Sequence, residues 1–182
     1  KILSKGRVSL VVSALLASST LIHAAPAANT LPTGGVVASG SATISQNANT
    51  MNIAQSSDKA IINWQSFSIG QNASVNFAQP SSSSIALNRV SGGVSEIFGS
   101  LNANGKVFLI NPNRVIFGQN AKVDVGGIVA STMNIKDADF LNGNYIFTRD
   151  GATGKILNQG ELKAKLGGYI ALLSPDVQNE GI

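Results

Sequence analysis

The chain has 182 residues, of which 12% are charged and 5% aromatic, with 19 Gly and no Cys. That length suffices for one domain with its own core, and the lack of Cys excludes disulfides, thiol catalysis and thiolate metal sites. The formal charge of +4 gathers at the start, in Lys1, Lys5 and Arg7; the other ten basic residues are scattered against nine acidic ones, with no basic stripe, so nucleic acid is not an expected partner.

Residues 1–28 read as a secretory signal peptide. Lys1, Lys5 and Arg7 form a positive head, Val8 to Ile22 is an uncharged apolar run, and "AAPAAN" offers small residues for cleavage near Ala25 to Ala28. The run is shorter than the ~20 apolar residues of a membrane span. Cleavage there removes His23, the single His, and leaves a mature domain, 29–182, without His or Cys. Nucleophile–His pairs and His-based metal sites then drop out, and neither metal nor cofactor is expected. A Ser–Lys or carboxylate pair stays open in principle. The acidic residues form no constellation, however, and Asp137 with Asp139 reads as an exposed loop.

Residues 29–50 are rich in Gly, Ser, Thr, Ala and Asn, and read as a loose start followed by edge strands at Gly35–Ala38 and Ala42–Ile44. From Met51 onward short apolar bursts alternate with turns: "AIINWQSFSIG", "ASVNFAQ", "SIALNRV", "KVFLIN", "RVIFG", "AKVDVGGIVAS", "GKILNQGEL", "GGYIALL". Helical periodicity is sparse, with short candidates at Val94–Gly99 and Lys136–Leu141. Two internal repeats organise the rest. Gly70-Gln71-Asn72-Ala73 recurs as Gly118-Gln119-Asn120-Ala121, and Ile156, Asn158 and Gly160 recur as Val177, Asn179 and Gly181 at a little under half that spacing. A unit of ~20–24 residues accounts for both, the wider spacing holding two units, and is too small to bury a core unless units stack. The expectation is an all-β, right-handed parallel β-helix of about six turns, with strands ~4.8 Å apart and apolar side chains such as Phe108 and Ile116 pointing inward. The strand-poor stretch 29–60 serves as an N-terminal cap. A β-sandwich is the alternative, and the Asn-Gly pairs of "ANGKVF" and "LNGNYIF" leave room for hairpin extensions. "LLSPDVQNEGI" breaks off inside a repeat, so further turns are expected to follow.

Seven ordered blocks carry a resemblance: "NWQSFSIG" (63–70), "VNFAQP" (75–80), "ALNRVSGG" (86–93), "IFGSLNANGKVFLINPNRVIFG" (97–118), "VDVGGIVAST" (123–132), "DADF" (137–140) and "GGYIALLSPDVQNEG" (167–181). Together they resemble the secretion domain of two-partner secretion exoproteins. This is the N-terminal domain of filamentous haemagglutinin-like adhesins and related haemolysins, also called the haemagglutination activity domain. The resemblance implies export to the periplasm by the general secretory machinery. Recognition there by the POTRA domains of an outer-membrane β-barrel transporter follows, then folding into a β-helix outside. It implies a non-enzymatic module, secreted or held at the bacterial cell surface, whose downstream region meets the host cell. A glycan-binding adhesive domain and a polysaccharide-acting β-helix enzyme are the competing classes; the second would need clustered acidic metal ligands that the sequence lacks.

Six residues are marked for transporter recognition or motif turns: Asn111, Pro112, Asn113, Arg114, Asn88 and Arg89. Pro112 fixes φ for a turn, Asn111 can bond the backbone ahead of it, and Asn113 tolerates positive φ. Arg114 stands where the family often has Gly, so the backbone there is either ordinary or strained. Asn88 with Arg89 reads as a turn former at a strand end or as part of the transporter-facing surface. Trp64, the single Trp, is expected in the core or cap.

Overall fold

A computed structural model describes residues 25–182; the expected signal peptide, and His23 with it, lies outside the described residues except for its last four positions. Two strands open the domain, β1 (Val36–Ser39) and β2 (Ala42–Asn47). The first turn follows with β3 (Thr50–Gln55) and β4 (Lys59–Trp64), the second with β5 (Ser74–Ala78), β6 (Ile85–Val90) and β7 (Ser95–Ile97), and the third with β8 (Ser100–Ala103), β9 (Lys106–Ile110) and β10 (Arg114–Phe117). The fourth begins with β11 (Lys122–Val125) and β12 (Gly127–Ser131). An excursion then leaves it, made of β13 (Asn134–Ile135), the helix α1 (Asp137–Asn142) and β14 (Phe147–Thr148), before β15 (Lys155–Asn158) completes the turn. The fifth holds β16 (Glu161–Ala164), β17 (Ile170–Leu173) and β18 (Val177–Asn179).

Equivalent strands of successive turns pair in parallel and build three faces. Face one runs β2-β3-β5-β8-β11-β16, face two β1-β4-β6-β9-β12-β17, and face three β7-β10-β15-β18. The fold is therefore a parallel β-helix. Its period is that of the sequence repeat: Ile85 lies opposite Lys106 and Lys106 opposite Gly127, the same step that separates Ile156 from Val177. The cap consists of β1 and β2, which pair antiparallel with β4 and β3. It ends before Thr50, so residues 50–60, expected in the cap, already form the first turn. Five turns form instead of six, because Arg114 lies opposite Lys155, nearly twice that step further along the chain. The excursion consumes about one turn's worth of chain.

Alternation with a period of two decides which side chains fill the interior. On face one Met51, Val75, Leu101, Val123 and Leu162 stand in register and are buried. Face two differs, because its strands are apolar on both sides. Val107 and Leu109 point into the interior, while Phe108 and Ile110 belong to a second cluster with Ile61, Leu87, Val129, Ile135 and Phe140. That cluster lies outside the β-helix, beneath the excursion. Phe108 is thus buried but not inward. Ile116 is also buried outside the interior cluster, since its neighbours Val115 and Phe117 take the inward positions of β10. The expectation that both point inward is corrected on these grounds.

Two further local expectations change. Val94–Gly99 is not helical: its central residues Ser95–Ile97 form strand β7, held by parallel pairing to β10; the tertiary ladder overrides a weak local preference. Asn104-Gly105 turns the corner between β8 and β9 rather than closing a hairpin. Lys136–Leu141 does become helical. Gly143 ends α1 in the left-handed region at φ 80°, its N–H donating to the carbonyls of Asp139 and Phe140.

Glycines mark the corners. A Cβ on Gly99 would strike the carbonyl of Gly70, one on Gly160 would lie 2.7 Å from the carbonyl of Gly118, and one on Gly181 would strike that of Gly160. The two repeats seen in the sequence therefore belong to one column at one corner. A second column, Gly105, Gly126 and Gly168, packs just as closely at the corner between faces one and two.

Candidate functional site

Strand β9 delivers Asn111 to the corner before face three. Asn111 is fully buried. Its Nδ2 donates to the Gly93 carbonyl at 3.0 Å and to Ser95 Oγ at 2.9 Å. Its Oδ1 accepts the Asn113 N–H at 3.0 Å, the side-chain turn that an Asn can make two residues ahead. The Asn113 side chain also donates to the Gly93 carbonyl, at 3.1 Å. The corner is thus tied to the preceding turn by two amides, with Pro112 and Asn113 exposed at its tip. Among the described residues, the non-Gly positions with positive φ are Ala48 and Asp150. Asn113 therefore does not use positive φ, and Arg114 has ordinary backbone. Arg114 simply starts β10, half-buried, and the strained alternative is removed.

Asn88 and Arg89 are neither a turn nor one site. Both lie within β6, on opposite sides. Asn88 is fully buried and accepts the Trp64 indole N–H at 3.0 Å, while its Nδ2 donates to the carbonyls of Ala86 and Phe108. Trp64 is in the core, edge-on to Phe67. Asn88→Ala leaves that indole N–H without a partner, and an orphaned buried donor costs about 2–3 kcal/mol. Urea unfolding monitored by Trp64 fluorescence is expected to show that loss.

Arg89 points outward to the excursion. It donates from Nε to Asn134 Oδ1 at 3.2 Å and from an Nη to the Ile135 carbonyl at 2.7 Å, and it pairs with Asp137 at 2.8 Å. At the other end of α1, Lys59 Nζ donates to the carbonyls of Phe140 and Leu141, at 3.0 and 2.7 Å. A cation is favourable there, beside the carbonyls of a helix C-terminus. Asp137 thus sits in the first turn of α1 as the partner of Arg89, not in a free loop. The ion pair itself counts for little because Asp137 is 55% exposed. The two hydrogen bonds carry the tie, so Arg89→Ala should cost about 1–2 kcal/mol. Hydrogen exchange should then quicken across 134–147 with the β-helix turns unaffected.

Two clefts flank Pro112. One, of about 340 Å³, is lined by Asn63, Arg89, Val90, Ser91, Pro112 and Asn134. The other, of about 300 Å³, lies between the corner and the returning excursion, and includes Asn113, Thr132, Arg149 and Asp150. Thr132 is fully buried and its hydroxyl has no hydrogen-bond partner. The fold therefore gathers Pro112, Asn113 and Arg89 around one exposed ridge, and it places Asn88 and Asn111 beneath the surface. Sequence reasoning missed Asn134 and Arg149, which frame the ridge through the excursion, and Lys59, which holds the far end of α1. Burial pushes the phenols of Tyr145 and Tyr169 up, with Tyr145 adding to the rise at Tyr169. Both stay neutral near pH 7, so neither offers a base.

The model of the TPS secretion domain family matches residues 28–182. The chain belongs to the TPS secretion domain family. Two curated relatives of this TPS domain are heme/hemopexin-binding proteins of Haemophilus influenzae. One is 42% identical over 162 residues, covering 85% of this chain and 18% of the relative; the other is 46% identical over 114 residues, covering 62% and 12%. The chain thus spans less than a fifth of either. The crystal structure of the HMW1 secretion domain from Haemophilus influenzae superposes with a TM-score of 0.76 at 36% identity, covering 82% of this chain and 41% of that one. The blocks read from the sequence and the β-helix fold of this TPS domain agree with both comparisons.

Proposed function

We propose that the domain is the export address of a larger bacterial exoprotein. A signal peptide over 1–28 takes it to the periplasm through the general secretory machinery. POTRA domains of a dedicated outer-membrane β-barrel transporter recognise it there, and it folds beyond the membrane, secreted or at the cell surface. It catalyses nothing. The match of the family model over 28–182 carries this reading, and the fold makes it more specific. Pro112 and Asn113 lie on an exposed ridge between two clefts, so they serve a partner that meets the folded domain. Asn88 and Asn111 are buried, so a partner reaches them only before their turns close. The haem and hemopexin binding in the relatives' names is assigned to no residue here, since the chain spans 18% and 12% of those proteins.

The test is capture of the chain by the transporter's periplasmic region, alongside secretion with and without that transporter. Capture and transporter-dependent secretion are expected. Absence of capture together with undiminished secretion from a transporter-less strain would sink the proposal.

A further inference from the structure

The corner between faces one and two holds a small cleft of about 170 Å³, lined by Ser82, Ser83, Asn104, Lys106, Lys165, Leu166 and three glycines including Gly126 and Gly168. Its shape follows from the second glycine column. Gly126 and Gly168 stack with backbone against backbone, so no side chain fills the trough between the turns. Two cations border it. Lys106 enters from β9, its ammonium 5.4 Å from the centre of the Tyr169 ring. Lys165 follows β16, donating one N–H to the Ala103 carbonyl at 3.2 Å and keeping its other donors. No carboxylate lines the cleft, and among the described residues neither ammonium has a carboxylate partner, whereas Lys155 and Arg89 do. The Asn104 amide is taken up by the backbone of Gln79, at 2.7 Å in both directions. One N–H of that amide remains, so the donors left to a ligand are ammonium, hydroxyl and amide groups.

An anion in the trough can accept charge-assisted hydrogen bonds from the ammonium groups of the two lysines that line it. A volume of 170 Å³ holds about five waters, room for one tetrahedral group and part of its hydration. We propose that this cleft binds a tetrahedral oxyanion, a phosphate or sulfate group, through Lys106 and Lys165. The inference is independent of the secretion reading, since it concerns the folded domain alone.

Titrating the full chain with inorganic phosphate against chloride at constant ionic strength tests it, with the Gly126 and Gly168 amide resonances as the readout. A saturable shift is expected. Lys106→Gln and Lys165→Gln should each weaken it about tenfold, the worth of one charge-assisted hydrogen bond. Lys122→Gln with Lys163→Gln removes two charges from the outer side of face one, more than either single variant, and should leave it unchanged. Unaltered Trp64 fluorescence verifies that each variant is folded. A second arm uses neutral phospholipid vesicles with and without a phosphate-monoester lipid. Lysine-dependent binding to free phosphate only, or to the monoester vesicles only, supports the site and tells a free oxyanion from a lipid headgroup. No saturable response in either arm, or equal weakening by the control pair, overturns it.

Discussion

Asn111→Ala is expected to cost the folded domain about 2–3 kcal/mol, and Asn113→Ala about 1 kcal/mol, although the two residues stand two apart in the same motif. The difference is burial. Asn111 is fully buried and its amide makes three hydrogen bonds, to Gly93, Ser95 and Asn113. Truncation strands the buried Ser95 hydroxyl, at about 1–3 kcal/mol for a buried group left unpaired, and removes a fully buried side chain, whereas Gly93 and Asn113 are exposed and can turn to water. Asn113 is exposed, its one side-chain bond is to the Gly93 carbonyl, and water can replace it. Denaturant unfolding of the two variants measures the contrast, and equal losses would contradict the assignment of Asn111 as the internal tie. Export separates them differently. Under the proposed recognition of the Pro112 ridge, Asn113→Ala with Pro112→Ala lowers capture by the transporter's periplasmic region while stability changes little.

Gly160→Ala is expected to be a damaging single-methyl change, at about 3 kcal/mol or more. The new Cβ would lie 2.7 Å from the Gly118 carbonyl and from the Ala121 Cβ, and 2.8 Å from the Ala121 carbonyl. Two of these contacts are backbone groups of the preceding turn, so relief requires the turns to separate. Gly151→Ala provides the control. Gly151 has φ 77° and open space around it, so alanine there meets only the left-handed conformational cost of about 1–2 kcal/mol. If the ranking of the two melting temperatures were reversed, the stacked corner would not be the constraint that the geometry indicates.

The turn architecture was legible because stacking imposes equivalence. A glycine required at a corner is required again at later turns, so Gly70 recurs as Gly118 and Gly160 as Gly181. The corner role of Asn111 was legible too, since an Asn before Pro bonds locally. The placement of Asn88 was not. From sequence, an Asn at the end of an apolar run looks like a turn; its true partner is the Trp64 indole, 24 residues earlier. An extension at "LNGNYIF" was expected, but not its helix or the sheet that it covers. The signal for that cover was present in "KVFLI" and "GIVAS", continuous apolar runs that contrast with the alternation of "KVDV". Such runs mark strands buried on both sides, which demands a cover outside the β-helix and explains why Phe108 and Ile110 are not interior residues. Reading these runs only as core-facing left the turn count one too high and Phe108 on the wrong side.

The two-sided burial of face two also has a temporal meaning. Ile61, Ile85, Leu87 and Phe108 all precede residue 110 in the chain, yet their outer cover, Ile135, Phe140 and Phe147, comes later. The latches span the same gap, 45 residues from Arg89 to Asn134 and 82 from Lys59 to Leu141. For a chain that emerges from its N-terminal end, three turns can close while a greasy sheet still faces outward. That sheet stays adhesive until Phe147 arrives. Under the proposed export, emergence from the N-terminal end would give the domain a sticky interval with a fixed beginning and end, set by sequence distance rather than by affinity.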